Sequence, residues 1–170
     1  MKGRGASGVC GPAAPADDRL EMLPDEAYVA GLLHDIGKVF FAAGRPDLWE
    51  TVEEIWRGRG GEYFEAETEF WGMDHALIGA EVLHYWKLPL LLTEPINWHH
   101  APELAPAYKM EARLLAAANR IAHSKPRASG GVCAEAAALL PPGYDAAALW
   151  AGVAQSLAGA GSEALTTLVK

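Results

Sequence analysis

The chain predicts an all-α domain with no sheet, and three observations carry that reading. Apolar residues recur at three-to-four-residue spacing in successive stretches from Asp25 to His123. No segment keeps the two-residue alternation of a strand, and no internal repeat of roughly 20 to 50 residues is present. Glycine and proline clusters, among them Gly44/Pro46, Gly58-Arg-Gly-Gly61 and Ser129-Gly-Gly131, punctuate the periodic stretches where helices should stop.

Residues 1–19 are Gly, Ala, Pro and charge with almost no large apolar side chains, so they bury too little surface to offset ordering entropy and are expected to form a disordered tail. Residues 20–170 are read as one helical unit. A first helix from Asp25 places Val29, Leu32/Leu33, Ile36 and Val39/Phe40 on one face until Gly44 and Pro46 end it; it carries His34 and Asp35. A second, about 46 to 57, has Pro46 near its first position, Leu48, Val52 and Ile55 inward, and Glu50, Glu53 and Glu54 on a solvated face. A short helix over about 62 to 70 leads to one that Asp74 caps and His75 starts, continuing through Ile78, Val82, Leu83 and Trp86. The stretch from Pro89 to His100 is helical with a kink or restart at Pro95, which lacks a backbone donor. Lys109 to His123 is amphipathic through Leu114, Leu115, Ala118 and Ile121; Ala-rich helices follow, separated by a Pro141-Pro-Gly-Tyr144 turn. Trp49, Trp56, Trp71, Trp86 and Trp98 sit at helical core spacing and are read as packing rather than as a stacking platform.

At 170 residues the chain is long enough for one domain with its own core. No apolar run reaches the roughly 18 to 20 residues of a membrane span, and the basic N-terminal start lacks the apolar stretch of a signal peptide, so a cytoplasmic protein is expected. Cys10 and Cys133 form no disulfide framework or CxxC pair and are read as free thiols. A net charge of −8 argues against binding a phosphate backbone, and Lys125-Pro-Arg127 is too small a basic stretch to reverse it. Ser124, Ser129 and Ser162 lie in no nucleophile-elbow context, so covalent catalysis is unsupported.

The chemistry is concentrated in His34-Asp35, His75 and His99-His100. Any one of these imidazoles alone reads as a core or capping residue satisfied by hydrogen bonds. Taken together, on separate helices, they are the nitrogen and oxygen donors that a divalent ion such as Mn, Fe, Zn or Mg requires. Lys38 lies one turn from His34 and is a candidate phosphate contact. His84 is read as a surface residue and His123 as a cation at a helix C-terminus; neither belongs to the candidate site.

Tyr28-Val-Ala-Gly-Leu-Leu-His-Asp-Ile-Gly-Lys38, the acidic Glu65-Ala-Glu-Thr-Glu69, Gly72-Met-Asp-His-Ala-Leu-Ile-Gly79, Trp86-Lys-Leu-Pro89, His99-His100 and Ala118-Asn-Arg-Ile-Ala122 occur in an order that resembles the HDOD domain. HDOD is the regulatory branch of the HD and HD-GYP phosphohydrolase superfamily. The resemblance covers about residues 25–125 and implies a helical fold. In catalytic relatives the positions matching His34, Asp35, His75, His99 and His100 bind metal. Those relatives also use a ligand upstream of the His-Asp step and an Asp near Asn119; here the upstream segment holds no His, and Asn119 is a weaker, neutral donor.

The resemblance also implies helices before Asp25 that the sequence does not supply. The chain is therefore read either as a truncated fragment of a longer protein or as a protomer whose exposed apolar face another copy covers. The expected function is a bacterial, cytoplasmic, non-catalytic signalling module that binds a partner protein or a small phosphorylated ligand. The alternative is a metal-dependent phosphohydrolase acting on a nucleotide or cyclic dinucleotide. A remnant with no independent fold is a third reading, which a non-cooperative melt would mark.

Overall fold

In the computed structural model the described residues are 19–123, 134–140, 143–145 and 148, and among them all regular structure is helical. Eight α-helices follow in order: α1 (Pro24–Leu33), α2 (Ile36–Gly44), α3 (Pro46–Arg59), α4 (Tyr63–Trp71), α5 (His75–Tyr85), α6 (Leu90–Trp98), α7 (Lys109–His123) and α8 (Ala134–Leu139), with one 3-10 turn, Pro102–Leu104, before α7. The expected tail lies outside the described residues except for Arg19, as do both cysteines, the three serines named above, Lys125–Arg127, the two prolines of the Pro141–Tyr144 turn and, apart from Asp145 and Ala148, the segment expected to be helical after it.

Local chemistry sets the boundaries. Pro24 opens α1, where its missing N–H is not needed, and Glu26 reaches back to accept the Leu23 N–H at 2.8 Å. Asp74 caps α5 by accepting the Leu77 N–H at 2.9 Å, as its sequence position predicts. Gly60 (φ 72°) and Gly72 (φ 74°) end α3 and α4 in backbone conformations that L side chains rarely adopt.

Two segments depart from expectation. The helix predicted to run through His34 and Asp35 is two helices: Asp35 has φ −98° and ψ 8°, and the chain turns there before α2 begins. A single residue in this bridge conformation carries no glycine or proline signal, so the apolar spacing continues across a bend that it cannot reveal. Conversely, α6 runs through Pro95 without a restart. Pro95 is fully buried in a helix packed between α5 and α7, and that packing holds the turn together although one donor is missing.

The core sits where α5, α6 and α7 meet. Leu83, Ile96, Leu115 and Ala80 are buried together, and Leu33, Ile36 and Leu88 pack against them. A second group of Met22, Ala30 and Leu92 joins the segment before α1 to α6. Two buried acids are consumed by backbone donors rather than by chemistry. Glu94 accepts from the Ala107 and Tyr108 N–H groups at 2.6 and 2.8 Å, and Glu111 accepts from the Glu21 N–H at 2.6 Å.

The tryptophans correct the sequence reading. None of the five is fully buried, and Trp86 is 52% exposed. Trp49, Trp56 and Trp71 instead gather with Phe41 and Tyr63 on the flank formed by α2, α3 and α4, where Phe41 stacks on Trp71 at 3.7 Å. Rings of this size serve as the outer wall where no further helical layer covers them. Glu53 is likewise half-buried and pairs with Arg57 at 2.5 Å, whereas Glu50 and Glu54 are exposed as expected.

Helices α2 and α5 cross in backbone contact. A Cβ on Gly37 would stand 2.0 Å from the His75 carbonyl oxygen and 2.9 Å from the Gly79 nitrogen; one on Gly79 would stand 3.2 Å from the Gly37 nitrogen. Gly37 is therefore in the motif because backbone must touch backbone there, which brings Asp35 beside His75. Gly37→Ala should cost about 3 kcal/mol and lower Tm by roughly 10 °C, with Gly79→Ala costing clearly less, both read by thermal denaturation. Equal losses for the two variants would contradict this account of the crossing.

Candidate functional site

Five of the six candidate ligands converge. His34 and Asp35 come from the bend between α1 and α2, His75 from the first turn of α5, and His99 and His100 from the end of α6. One donor atom from each of His75, His99 and His100 lies within 4.8 Å of the others, as do donors of His34, Asp35 and His99. A cation bound at about 2.0 to 2.2 Å from each donor spans separations of this size.

Each imidazole is held in a set orientation. His34 Nδ1 donates to the Gly31 carbonyl and His99 Nδ1 to the Ile96 carbonyl, both at 2.7 Å. With Nδ1–H so engaged, each neutral ring turns a lone pair on Nε2 inward, and both Nε2 atoms are buried without a protein partner. His75 is fixed by Glu67, whose Oε2 accepts Nδ1–H at 2.5 Å and the His75 backbone N–H at 3.0 Å. The His75 Nε2 then lies 3.1 Å from Asp35 Oδ1 and 2.9 Å from His100 Nε2. Asp35 Oδ1 sits among the rings, 3.1 Å from His75 Nε2 and 3.5 Å from His34 Nε2, while Oδ2 accepts from the Lys38 ammonium at 2.8 Å. Two inward-facing ring nitrogens with no hydrogen-bond partner, set beside this carboxylate oxygen, are what a metal-binding nest presents, so these residues fit a divalent ion.

Two ring nitrogens 2.9 Å apart require a proton or a cation between them. A neutral His100 can supply that proton from its own Nε2–H, and electrostatics makes His75 the imidazole of this pair that takes a further proton most readily. Burial opposes a charge on His75, but the Asp35 and Glu67 carboxylates beside it outweigh burial and raise its pKa. Burial likewise opposes ionisation of Asp35, yet His75, Lys38 and His34 hold its carboxyl well below the usual carboxylate range. Burial pushes His99 down to about 3, with only the Ile96 carbonyl and Asp35 acting against it, and pushes His100 down to about 2 with His99 and His75 adding to the effect.

Glu67 is the residue the sequence reading missed. It is fully buried, lies within the acidic Glu65–Glu69 stretch, and shares the spacing of Tyr63, Ala66 and Phe70. That position on the inward stripe of α4 was the available signal; Glu65 and Glu69 fall on the exposed side. The sixth candidate, Asn119 on α7, has its Oδ1 buried and unpartnered and lines a cavity of about 510 Å³ together with Lys38, His75 and His100. His84 is exposed as expected, and His123, set aside on sequence, lines the same cavity. The His100 ring forms one wall, stacked on Phe64 at 4.2 Å.

Comparison with known proteins agrees with this fold. The HDOD domain model matches residues 13–102, beginning upstream of Asp25 and ending before α7, so the place of Asn119 rests on geometry alone. An uncharacterized protein of Treponema pallidum (strain Nichols) is 32% identical over 95 residues, which is 55% of this chain and 18% of that protein. A crystal structure from Shewanella amazonensis SB2B, of a protein described as a proposed phosphohydrolase, is similar with a TM-score of 0.55 and 35% identity over 61% of this chain and 38% of the other. The chain thus spans well under half the length of either relative.

Two outcomes follow from the nest. His99 and His100 stay neutral when folded but take up protons near 6.5 when unfolded, so the unfolded state binds more protons as pH falls below 6.5. His75, with the opposite shift, has its full contribution below 6.5 and does not offset this. Metal-free protein should therefore lose Tm steadily from pH 6.5 to 4.5; a flat profile would show that the two imidazoles are not buried neutral. Glu67→Gln, which keeps the shape but removes the charge, should weaken Zn²⁺ or Mn²⁺ binding by roughly 10- to 100-fold in calorimetric titration. Unchanged affinity would remove Glu67 from the site.

Proposed function

Because the chain belongs to the HDOD family, we propose that it is the regulatory module of a bacterial, cytoplasmic signalling protein, whose nest holds one divalent ion and whose cavity takes a small phosphorylated ligand. The observation that carries this reading is the charge inventory of the nest. Four imidazoles face inward with one central carboxylate, Asp35; the second buried acid, Glu67, is occupied in holding His75, and Asn119 is neutral. One carboxylate compensates one dication far better than two, and a lone ion without a second to activate a shared water is a poor hydrolytic centre. Lys38 lines the cavity and, with one N–H given to Asp35, keeps two N–H donors that a phosphate group would meet. Mn, Fe, Zn and Mg all suit these donors.

The signalling output would pass to a partner protein. Tyr28, Leu32 and Val39 are exposed apolar side chains on α1 and α2 that a partner or a second copy would cover. A net charge of −8 leaves nucleic acid outside the reading. No helix among the described residues is long and apolar enough to cross a membrane.

The second reading, a metal-dependent phosphohydrolase, is favoured by one observation: the cavity opens directly onto His75 and His100, where a phosphate ester would meet a bound ion. Elemental analysis after loading with Mn or Fe, followed by assay on bis-nitrophenyl phosphate, separates the two. One ion per chain and no turnover are expected. Asn119→Asp, which restores an anion, should raise metal affinity roughly ten-fold. Two ions per chain, with turnover that His34→Ala abolishes, would overturn the regulatory reading.

A further inference from the structure

The half of the cavity away from the nest has its own chemistry. Trp49, Glu53 and Trp56 occur at i, i+4 and i+7 on α3 and form one wall, and Tyr63 from α4 stands against both rings. The Tyr63 ring lies 5.6 Å from Trp49 at 45° and 5.5 Å from Trp56 at 74°. Trp56 is tied by its Nε1–H to the Gly61 carbonyl at 3.0 Å, and Trp49 is backed by Trp71. The rings are therefore fixed before a ligand arrives.

The charges of the cavity are segregated. The aromatic half carries the carboxylates of Glu53 and Glu62; the cation paired with Glu53 is Arg57, which is 67% exposed and does not line the cavity. The other end carries the Lys38 ammonium, paired with Asp35 Oδ2 at 2.8 Å and 6.0 Å from the Tyr63 ring centroid, so both ends are within reach of one small molecule. Aromatic faces with nearby acids select a weakly hydrated cation, above all a quaternary or alkylated ammonium, because its desolvation costs little and the ring quadrupole is attractive. A fixed ammonium at the other end selects an anion.

We propose that the cavity binds a zwitterionic phosphate ester, with an alkylated ammonium in the corner of Trp49, Trp56 and Tyr63 and the phosphate directed to Lys38. This deepens the ligand-binding reading above and rests on it. A nucleotide is the less favoured occupant, since a neutral base would use the rings but gain less from Glu53 and Glu62.

Calorimetric titration of the metal-loaded full chain with phosphocholine, inorganic phosphate, tetramethylammonium and adenosine monophosphate tests this. Phosphocholine should bind roughly ten-fold tighter than either fragment. Trp56→Ala and Glu53→Gln should each weaken phosphocholine and tetramethylammonium roughly ten-fold while leaving inorganic phosphate and metal uptake unchanged, and Trp56→Phe should restore much of the loss. Co-sedimentation with phosphatidylcholine vesicles assigns the ester to a lipid headgroup, and binding of soluble phosphocholine alone assigns it to a free ester. No binding of phosphocholine, equal affinity for inorganic phosphate, or tighter binding of adenosine monophosphate would each overturn the proposal. Phosphocholine binding that persists without metal uptake would sink the metal-centred reading and leave this one standing.

Discussion

The site depends on the backbone contact between Gly37 and the His75 carbonyl. That contact sets how closely α2 approaches α5, and the approach places Asp35 Oδ1 3.1 Å from His75 Nε2. A methyl group at residue 37 would push the helices apart by more than a hydrogen-bond length can absorb. The half-buried Asp35 would then lose its imidazole partner and the fully buried His75 one of its two acids. Buried charges are costly unless paired, so the contact is an electrostatic constraint as much as a packing one.

The nest balances its charges among its own side chains. Glu67 and Asp35 flank His75 and favour a proton on it, while His99 and His100 are kept neutral by burial. A divalent ion would take over the role of that proton, since both supply positive charge among the same donors. The carboxylate count limits how far this goes, and it is the ground on which one ion and a binding role are proposed. The aromatic flank, displaced from the core to a single wall, then gives the cavity a second end of opposite electrostatic character.

Much of this was legible in the sequence. The 3.6-residue period marked the helices, Asp74 announced the start of α5, and the order of His34-Asp35, His75 and His99-His100 pointed to a shared nest on an HDOD-like fold. Three features were not legible, each for a physical reason. The bend at Asp35 carries no breaker residue, so periodicity ran through it. The continuity of α6 at Pro95 is imposed by tertiary packing, which propensity cannot register. The tryptophans share their spacing with core residues, and only the number of helical layers covering them decides whether they are interior or wall. Glu67 is a different case: its inward spacing beside Tyr63, Ala66 and Phe70 could have been weighed, but an acid within an acidic run reads first as a solvated face.

Anomalous scattering from a crystal loaded with Mn²⁺ tests the central claim most directly. The account predicts a single peak enclosed by the ring nitrogens of His34, His75 and His99 and the carboxylate of Asp35. Two peaks of comparable height, with Asp35 bridging them and a second ion held by His100 and Asn119, would contradict it.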